Sequence, residues 1–177
     1  MCPLLKMPPL PLKKPPKDDP SPVICPSDTS ERIMPVYQQS IFIRTSSTTV
    51  ERCFTHQDLM HRGLNPALSC EPVGEWRTAL GSEFDFRLKV PVLAPSLHAV
   101  VVERSPGLVV WGFDGFFQGC DRWECQPEEN GTTLLNRFEF TIPNPLVSFG
   151  FQQFAAKWTK QDMEKQLERL KQVAERL

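Results

Sequence analysis

Four polar residues interrupt otherwise apolar strand patterns, and they are the sequence's candidates for chemistry. Asp121 shares an alternating face with Trp123 and Cys125, and Asn136 shares one with Leu134, Phe138 and Phe140. His98 and Arg104 share a third with Val100 and Val102. A carboxyl held between apolar walls has its pKa raised and can serve as a general acid or base, with Arg104 or Asn136 orienting a carbonyl. Each also has an ordinary structural use. His98 and Arg104 stand at strand ends that reach water, Asp121 follows the Gly119-Cys120 turn, and Asn136 can satisfy a buried backbone group. No residue is assigned a catalytic role on this basis.

Other chemistries leave no trace in the sequence. It has no G-x-S-x-G elbow to present a nucleophilic serine, and no G-x-G-x-x-G or P-loop to hold a nucleotide. Cys53, His56 and His61 are the one cysteine and histidine cluster. Cys53 and His56 share a helical face at i,i+3, but His61 lies five residues on and points elsewhere, so no metal site is expected. No cofactor is expected either. The 6 cysteines have no oxidising compartment indicated for them and are read as free thiols. Cys120 and Cys125, five apart on one strand, fall on opposite faces and cannot bridge locally.

The 177 residues are 40% apolar and 23% charged, with a net charge of −1, as in a globular domain with one core. That balance leaves no basic footprint for nucleic acid. No apolar run approaches the ~20 residues of a membrane-spanning helix, and the first residues show no apolar signal core. The expected location is the cytoplasm.

Proline marks the domain boundary. Ten of the 18 prolines fall in the first 35 residues, so residues 1–34 read as a disordered tail and 35–177 as the folded domain. Pro8-Pro9-Leu10-Pro11-Leu12-Lys13 within the tail matches the P-x-x-P-x-[KR] form that SH3 domains read. Alternation predicts a strand over Val36–Arg44. Thr48-x-x-Glu51 and Thr55-x-x-Asp58 then resemble capping boxes, giving short helices over 48–54 and 56–62, with Gly63 as the C′ residue and Asn65-Pro66 forbidding continuation.

Antiparallel strands follow at Ser82–Val90, His98–Arg104, Leu108–Phe113, Asp121–Gln126 and Thr132–Ile142, with turns at Ser105-Pro106-Gly107 and Glu128-Glu129-Asn130-Gly131. Asn144-Pro145 predicts the start of one long C-terminal helix. Val147, Phe151, Phe154 and Trp158 give it an aromatic face, followed by an aliphatic one of Leu167, Leu170, Ala174 and Leu177. The outward Arg122, Glu124, Arg137 and Glu139 read as a cross-strand ladder of surface ion pairs.

This order of elements is that of the helix-grip fold, an α+β architecture in which a curved antiparallel sheet wraps a long C-terminal helix. Val50-Glu51-Arg52-Cys53-Phe54, Asp58 and Leu64-Asn65-Pro66 resemble the P-x-x-V-(F/W)…D…W-N-P opening of the SRPBCC superfamily, which includes START-related and birch-pollen-allergen-like domains. Gly81, Gly107-Leu108-Val109-Val110-Trp111 and Gly131-Thr132-Thr133-Leu134 fall where that superfamily has G, (R/G)-L-V-W and G-T-x-(L/V). The polyketide cyclase/dehydrase-like branch is the most similar. The sequence departs near Gly63, where many members carry tryptophan ahead of Asn-Pro. The glycine either widens a pocket mouth or stops the helix, and its C′ position favours the stop.

The resemblance implies an apolar cavity between sheet and helix that takes a hydrophobic small molecule such as a lipid, pigment or polyketide-like compound. The residues implied as its lining are Phe84, Phe86, Trp111, Phe113, Trp123, Asn136 and Phe138 on the sheet, with Phe151, Phe154 and Trp158 on the helix. Aromatic residues on both layers can line a cavity or fill it. Three classes of function remain: a carrier or sensor of an apolar molecule, a cyclase or dehydratase, and an interaction module whose terminal helix, Gln161–Leu177, docks a protein partner.

Overall fold

The computed structural model describes residues 36–89, 96–115, 118–142 and 156–177, with Leu88 and residues 156–159 described by their backbone alone. The proline-rich tail, the Asn144-Pro145 helix start, Phe151, Phe154 and the Trp158 side chain lie outside the described residues.

Strand β1 (Val36–Ile43) is followed by helices α1 (Ser47–Thr55) and α2 (Gln57–Gly63). Then come β2 (Leu68–Pro72), β3 (Glu83–Leu88), β4 (Ser96–Ser105), β5 (Leu108–Gly115), β6 (Gln118–Glu128) and β7 (Gly131–Thr141), and finally α3 (Ala156–Ala174). The strands form one curled antiparallel sheet in the order β1-β7-β6-β5-β4-β3-β2. Val50, Cys53, Phe54 and Met60 of the short helices and Leu167, Leu170 and Ala174 of α3 join Phe84, Val101, Val109, Leu134 and Phe140 of the sheet in one core. The helix-grip expectation holds, and no described helix is long and apolar enough to cross a membrane.

Local chemistry explains the elements and several departures from expectation. The N-cap of α1 is Ser46, whose Oγ accepts from the Thr49 N–H at 3.2 Å. The box built on Thr48 does not form, because the Glu51 carboxylate is engaged by Arg104 and by the Gly107 N–H. Thr55 does not cap α2 either; its hydroxyl donates back to Glu51 O at 2.9 Å, and His56 takes the cap position without a side-chain bond.

Gly63 is the last residue of α2 rather than a left-handed C′, and Leu64, in extended conformation, ends the helix. The Gly63 carbonyl accepts from Arg169 Nε of α3 at 3.2 Å. In the following loop Asn65 accepts from the Ala67 N–H at 2.8 Å and donates to Asp162 Oδ1 of α3 at 2.7 Å.

Two glycines are required by geometry. Gly107 turns the β4–β5 hairpin with φ +76°, and a Cβ on Gly131 would stand 2.3 Å from the Ile43 carbonyl where β1 passes the start of β7. Beside it the buried Thr132 hydroxyl donates to Thr45 O at 2.8 Å.

The sequence pattern does not predict β2. A register shift in β4 between Val101 and Glu103 is a second departure, since such a bulge inverts the side-chain parity beyond it. Arg104 therefore pairs with Val109 on the inner face, while His98 pairs with Asp85 and Asp114 on the outer one. The charge ladder differs too: Arg122 stands opposite Arg137, and each is neutralised along its own strand, Arg122 by Glu124 at 3.1 Å and Arg137 by Glu139. Glu103 adds a contact to Arg122 at 3.0 Å.

Cys53, Cys70 and Cys125 are free and buried. Cys120 corrects the expectation of free thiols throughout, because it is disulfide-bonded. It faces outward opposite Glu139, on the other side of the sheet from Cys125, which stands opposite Leu134.

Candidate functional site

The inner face of β5, β6 and β7 carries one polar cluster in an apolar field. Antiparallel register sets Asp121 beside Trp111 and Phe138, and sets Trp123 beside Val109 and Asn136. Asp121 and Asn136 are diagonal neighbours, close enough for their side chains to meet. Asn136, 2% exposed, donates through Nδ2 to Asp121 Oδ1 at 2.6 Å and to Arg122 O at 3.3 Å. Trp123 Nε1 donates to Asp121 Oδ2 at 2.7 Å.

The carboxyl of Asp121 is enclosed, although the residue as a whole is only half-buried. Burial pushes its pKa up to about 6, against the lowering effect of the bonds from Trp123 and Asn136. It changes charge just below neutrality.

Asp121 borders a cavity between the sheet and the three described helices. Phe86, Trp111 and Trp123 complete the sheet wall; Cys53 and Phe54 of α1, Met60 and Gly63 of α2, Leu64, and Gln166 and Leu170 of α3 form the rest. About 40 Å³ is open to water, and crevices and mouth bring the empty volume to about 350 Å³. The first figure, the one comparable with known cavities, is room for a few water molecules and lies well below the ~300–1,000 Å³ of small-molecule sites, whereas the second includes solvent at the mouth. Two lining residues, Met60 and Gln166, are unbranched, so the walls can adjust.

The expected lining residues divide into two groups. Phe86, Trp111 and Trp123 border the cavity, with Phe54 against Trp123 at a ring separation of 5.8 Å. Phe113 and Phe138 stack on each other at 5.2 Å, and Phe140, not among the expected lining, lies 4.9 Å from Phe138. Phe84 is covered by Trp76 at 5.1 Å. Asn136 reaches the cavity only through Asp121. The described residues thus hold both a lined void and a packed aromatic cluster.

His98 and Arg104 stay away from the cavity. His98 Nδ1 lies 3.2 Å from Asp85 Oδ1 on the outer face. Arg104 is clamped by Glu51 and donates to Leu108 O at 3.0 Å, closing the β4–β5 hairpin. The Cys53, His56 and His61 set does not converge: Cys53 lines the cavity, while His61 Nε2 contacts Cys70 O at 2.9 Å. Desolvation raises the Cys53 thiol to about 11, which keeps it protonated. Sequence reasoning misses Cys53, Phe54, Met60, Leu64, Gln166 and Leu170 as lining, whereas Gly63, weighed there as widening a pocket mouth, does border the cavity. Gln166 carries the one signal, a polar residue four before Leu170 on the buried stripe of α3.

A curled sheet gripping a terminal helix over a partly empty interior defines the helix-grip class of ligand-binding and cyclase domains. The chain belongs to the polyketide cyclase / dehydrase and lipid transport family, whose model matches residues 34–175, within the SRPBCC superfamily. Three solved structures illustrate the fold at low sequence identity. The KanY protein (ms6282) superposes with TM-score 0.65 at 15% identity, covering 80% of this chain and 98% of that one. TTHA0849 from Thermus thermophilus gives 0.66 at 14%, covering 79% and 97%. The Zhui aromatase/cyclase from Streptomyces sp. R1128 gives 0.64 at 11%, covering 81% and 94%. No curated protein matches the sequence.

Proposed function

We propose that this domain is a carrier or sensor of a compact hydrophobic molecule, a lipid, pigment or polyketide-like compound, seated between the sheet and the three helices. The observation that carries this reading is the cavity itself, lined mostly by apolar side chains and bearing one buried carboxylate cluster at Asp121. A few precisely oriented polar groups in an apolar pocket are what a binding site uses to fix orientation. The family's description as cyclase, dehydrase and lipid transport supports the same reading.

A cyclase or dehydratase is the second reading. It is favoured by the pKa of Asp121, about 6, which suits a group that exchanges protons near neutrality. The third class finds less support, because Leu167, Leu170 and Ala174 of the terminal helix are buried in the domain's own core, and a protein partner would have to read its polar face.

Native mass spectrometry of protein purified from its own source, together with titration by an apolar fluorescent probe, tests the proposal. A retained small molecule, or probe binding near one per chain that the molecule displaces, is expected. A clean apo mass with no probe binding would sink both the carrier and enzyme readings. Turnover of a polyketide-like substrate, abolished in Asp121→Asn, would favour the enzyme.

A further inference from the structure

We propose that Trp111 and Asp121 together recognise a hydroxyl group, so that the cavity's ligand is an apolar molecule bearing an alcohol or phenol rather than a hydrocarbon or a simple ketone or ether. This rests on the reading that the cavity binds a hydrophobic molecule. Trp111 and Asp121 are direct register partners on β5 and β6, and both line the cavity. Trp111 is 4% exposed, yet its indole Nε1 finds no acceptor among the described residues. Trp123, on the same wall, has its N–H satisfied by Asp121. Buried polar groups without partners are uncommon, and one on the wall of a cavity points to something that occupies the cavity.

The complementary group follows from the donor and acceptor inventory. Indole N–H only donates. An ionised carboxylate only accepts, with about four lone-pair sites over its two oxygens. Asn136 and Trp123 each supply one donor to Asp121, which leaves acceptor capacity free. A hydroxyl accepts from Trp111 and donates to Asp121 at once. A ketone or ether satisfies only the tryptophan, an ammonium group only the carboxylate, and a hydrocarbon neither. A site with hydrogen-bonding groups of this kind discriminates against the analogue that leaves them unpaired.

The experiment titrates the full chain at pH 7.5 with 2-naphthol, 2-methoxynaphthalene and 2-methylnaphthalene, three probes of one shape class differing in donor and acceptor capacity. The naphthol is expected to bind about ten-fold or more tightly than the methyl compound, with the methoxy compound between them. In Trp111→Phe, which keeps an aromatic ring and removes the N–H, the difference should shrink to about two- to three-fold. Equal binding of all three probes to the wild type would overturn this inference while leaving hydrophobic binding intact. Binding of none would overturn both. The wild-type series decides the matter even if the variant does not fold, and an unchanged preference in a folded Trp111→Phe would also refute the assignment.

Discussion

Glu51, in the first helix, accepts a hydrogen bond from the backbone N–H of Gly107, at the tip of the β4–β5 hairpin, at 2.8 Å. The same carboxylate holds the Arg104 guanidinium. One side chain thus fastens a helix to a turn and orients the arginine that closes that turn through Leu108 O. Glu51→Ala removes the acceptor of both donors at a site where Arg104 and Glu51 are only 24% and 17% exposed, and is expected to cost about 2–3 kcal/mol. Glu51→Gln, which keeps an acceptor for Gly107, should cost less. Urea unfolding of the two variants measures the difference. Equal losses would mean that the N–H bond contributes nothing beyond the charge.

Asp121 makes stability depend on pH in a definite direction. Its folded-state pKa of about 6 lies above the ordinary 3.8, so the folded chain binds the proton more tightly than the unfolded chain does. The stabilisation is complete below about pH 4 and is lost as the pH rises through 6, by roughly 3 kcal/mol in all. Asp121→Asn removes the titration. Between pH 4 and 7 the wild type should lose stability relative to the variant by about 2–3 kcal/mol, and parallel pH profiles would show that the carboxyl is not desolvated.

Gly63 offers a test of what its missing side chain does. It has helical rather than left-handed geometry, and a Cβ there would sit 3.7 Å from Leu170 Cβ, an ordinary contact. Gly63→Ala is therefore expected to stabilise the domain by about 0.5–1 kcal/mol through backbone entropy, while narrowing the cavity it lines. A higher melting temperature with weaker probe binding is the expected pair of results. Destabilisation would show that α2 and α3 are packed too tightly for a methyl group.

The three free thiols among the described residues, Cys53, Cys70 and Cys125, should be inert in the folded protein. Burial raises Cys53 to about 11, and Cys70 and Cys125 to about 12. A thiol reagent at pH 8 is expected to leave all three unmodified in buffer and to label them in denaturant, with mass spectrometry locating the adducts. Rapid labelling of Cys53 alone would indicate that the cavity opens to solvent.

Most of the fold is legible in the sequence because strands with one wet face alternate visibly, as Phe84 and Phe86 do with Glu83, Asp85 and Arg87. The β2 strand is not. Its Leu-Ser-Cys-Glu-Pro sequence has no β-branched residue and ends in proline, which an edge strand tolerates but which reads as loop. Asp121 and Asn136 are recognisable as polar residues on apolar faces, and the structure joins them. Simple alternation misplaces Arg104, because the bulge at Val102 adds a residue that leaves no mark in the pattern. The helical half of the cavity wall is hidden for a different reason. Leu64 and Leu170 look like core from their spacing, and spacing cannot tell a side chain that touches atoms from one that touches empty space.

The position of β1 beside β7 also sets the order in which the domain can assemble. Ile43 pairs Thr132 and Val36 pairs Glu139, so the first strand has no neighbour until nearly the whole sheet exists, while β3 to β7 pair through successive short connections. During synthesis β1 leaves the ribosome early and waits, its inner residues Tyr37, Ile41 and Ile43 uncovered. The long loop must close before those contacts return any free energy, a topology of high contact order that folds slowly and all at once. A nascent chain stopped short of β7 would keep that strand edge open, the kind of intermediate that chaperones exist to shield.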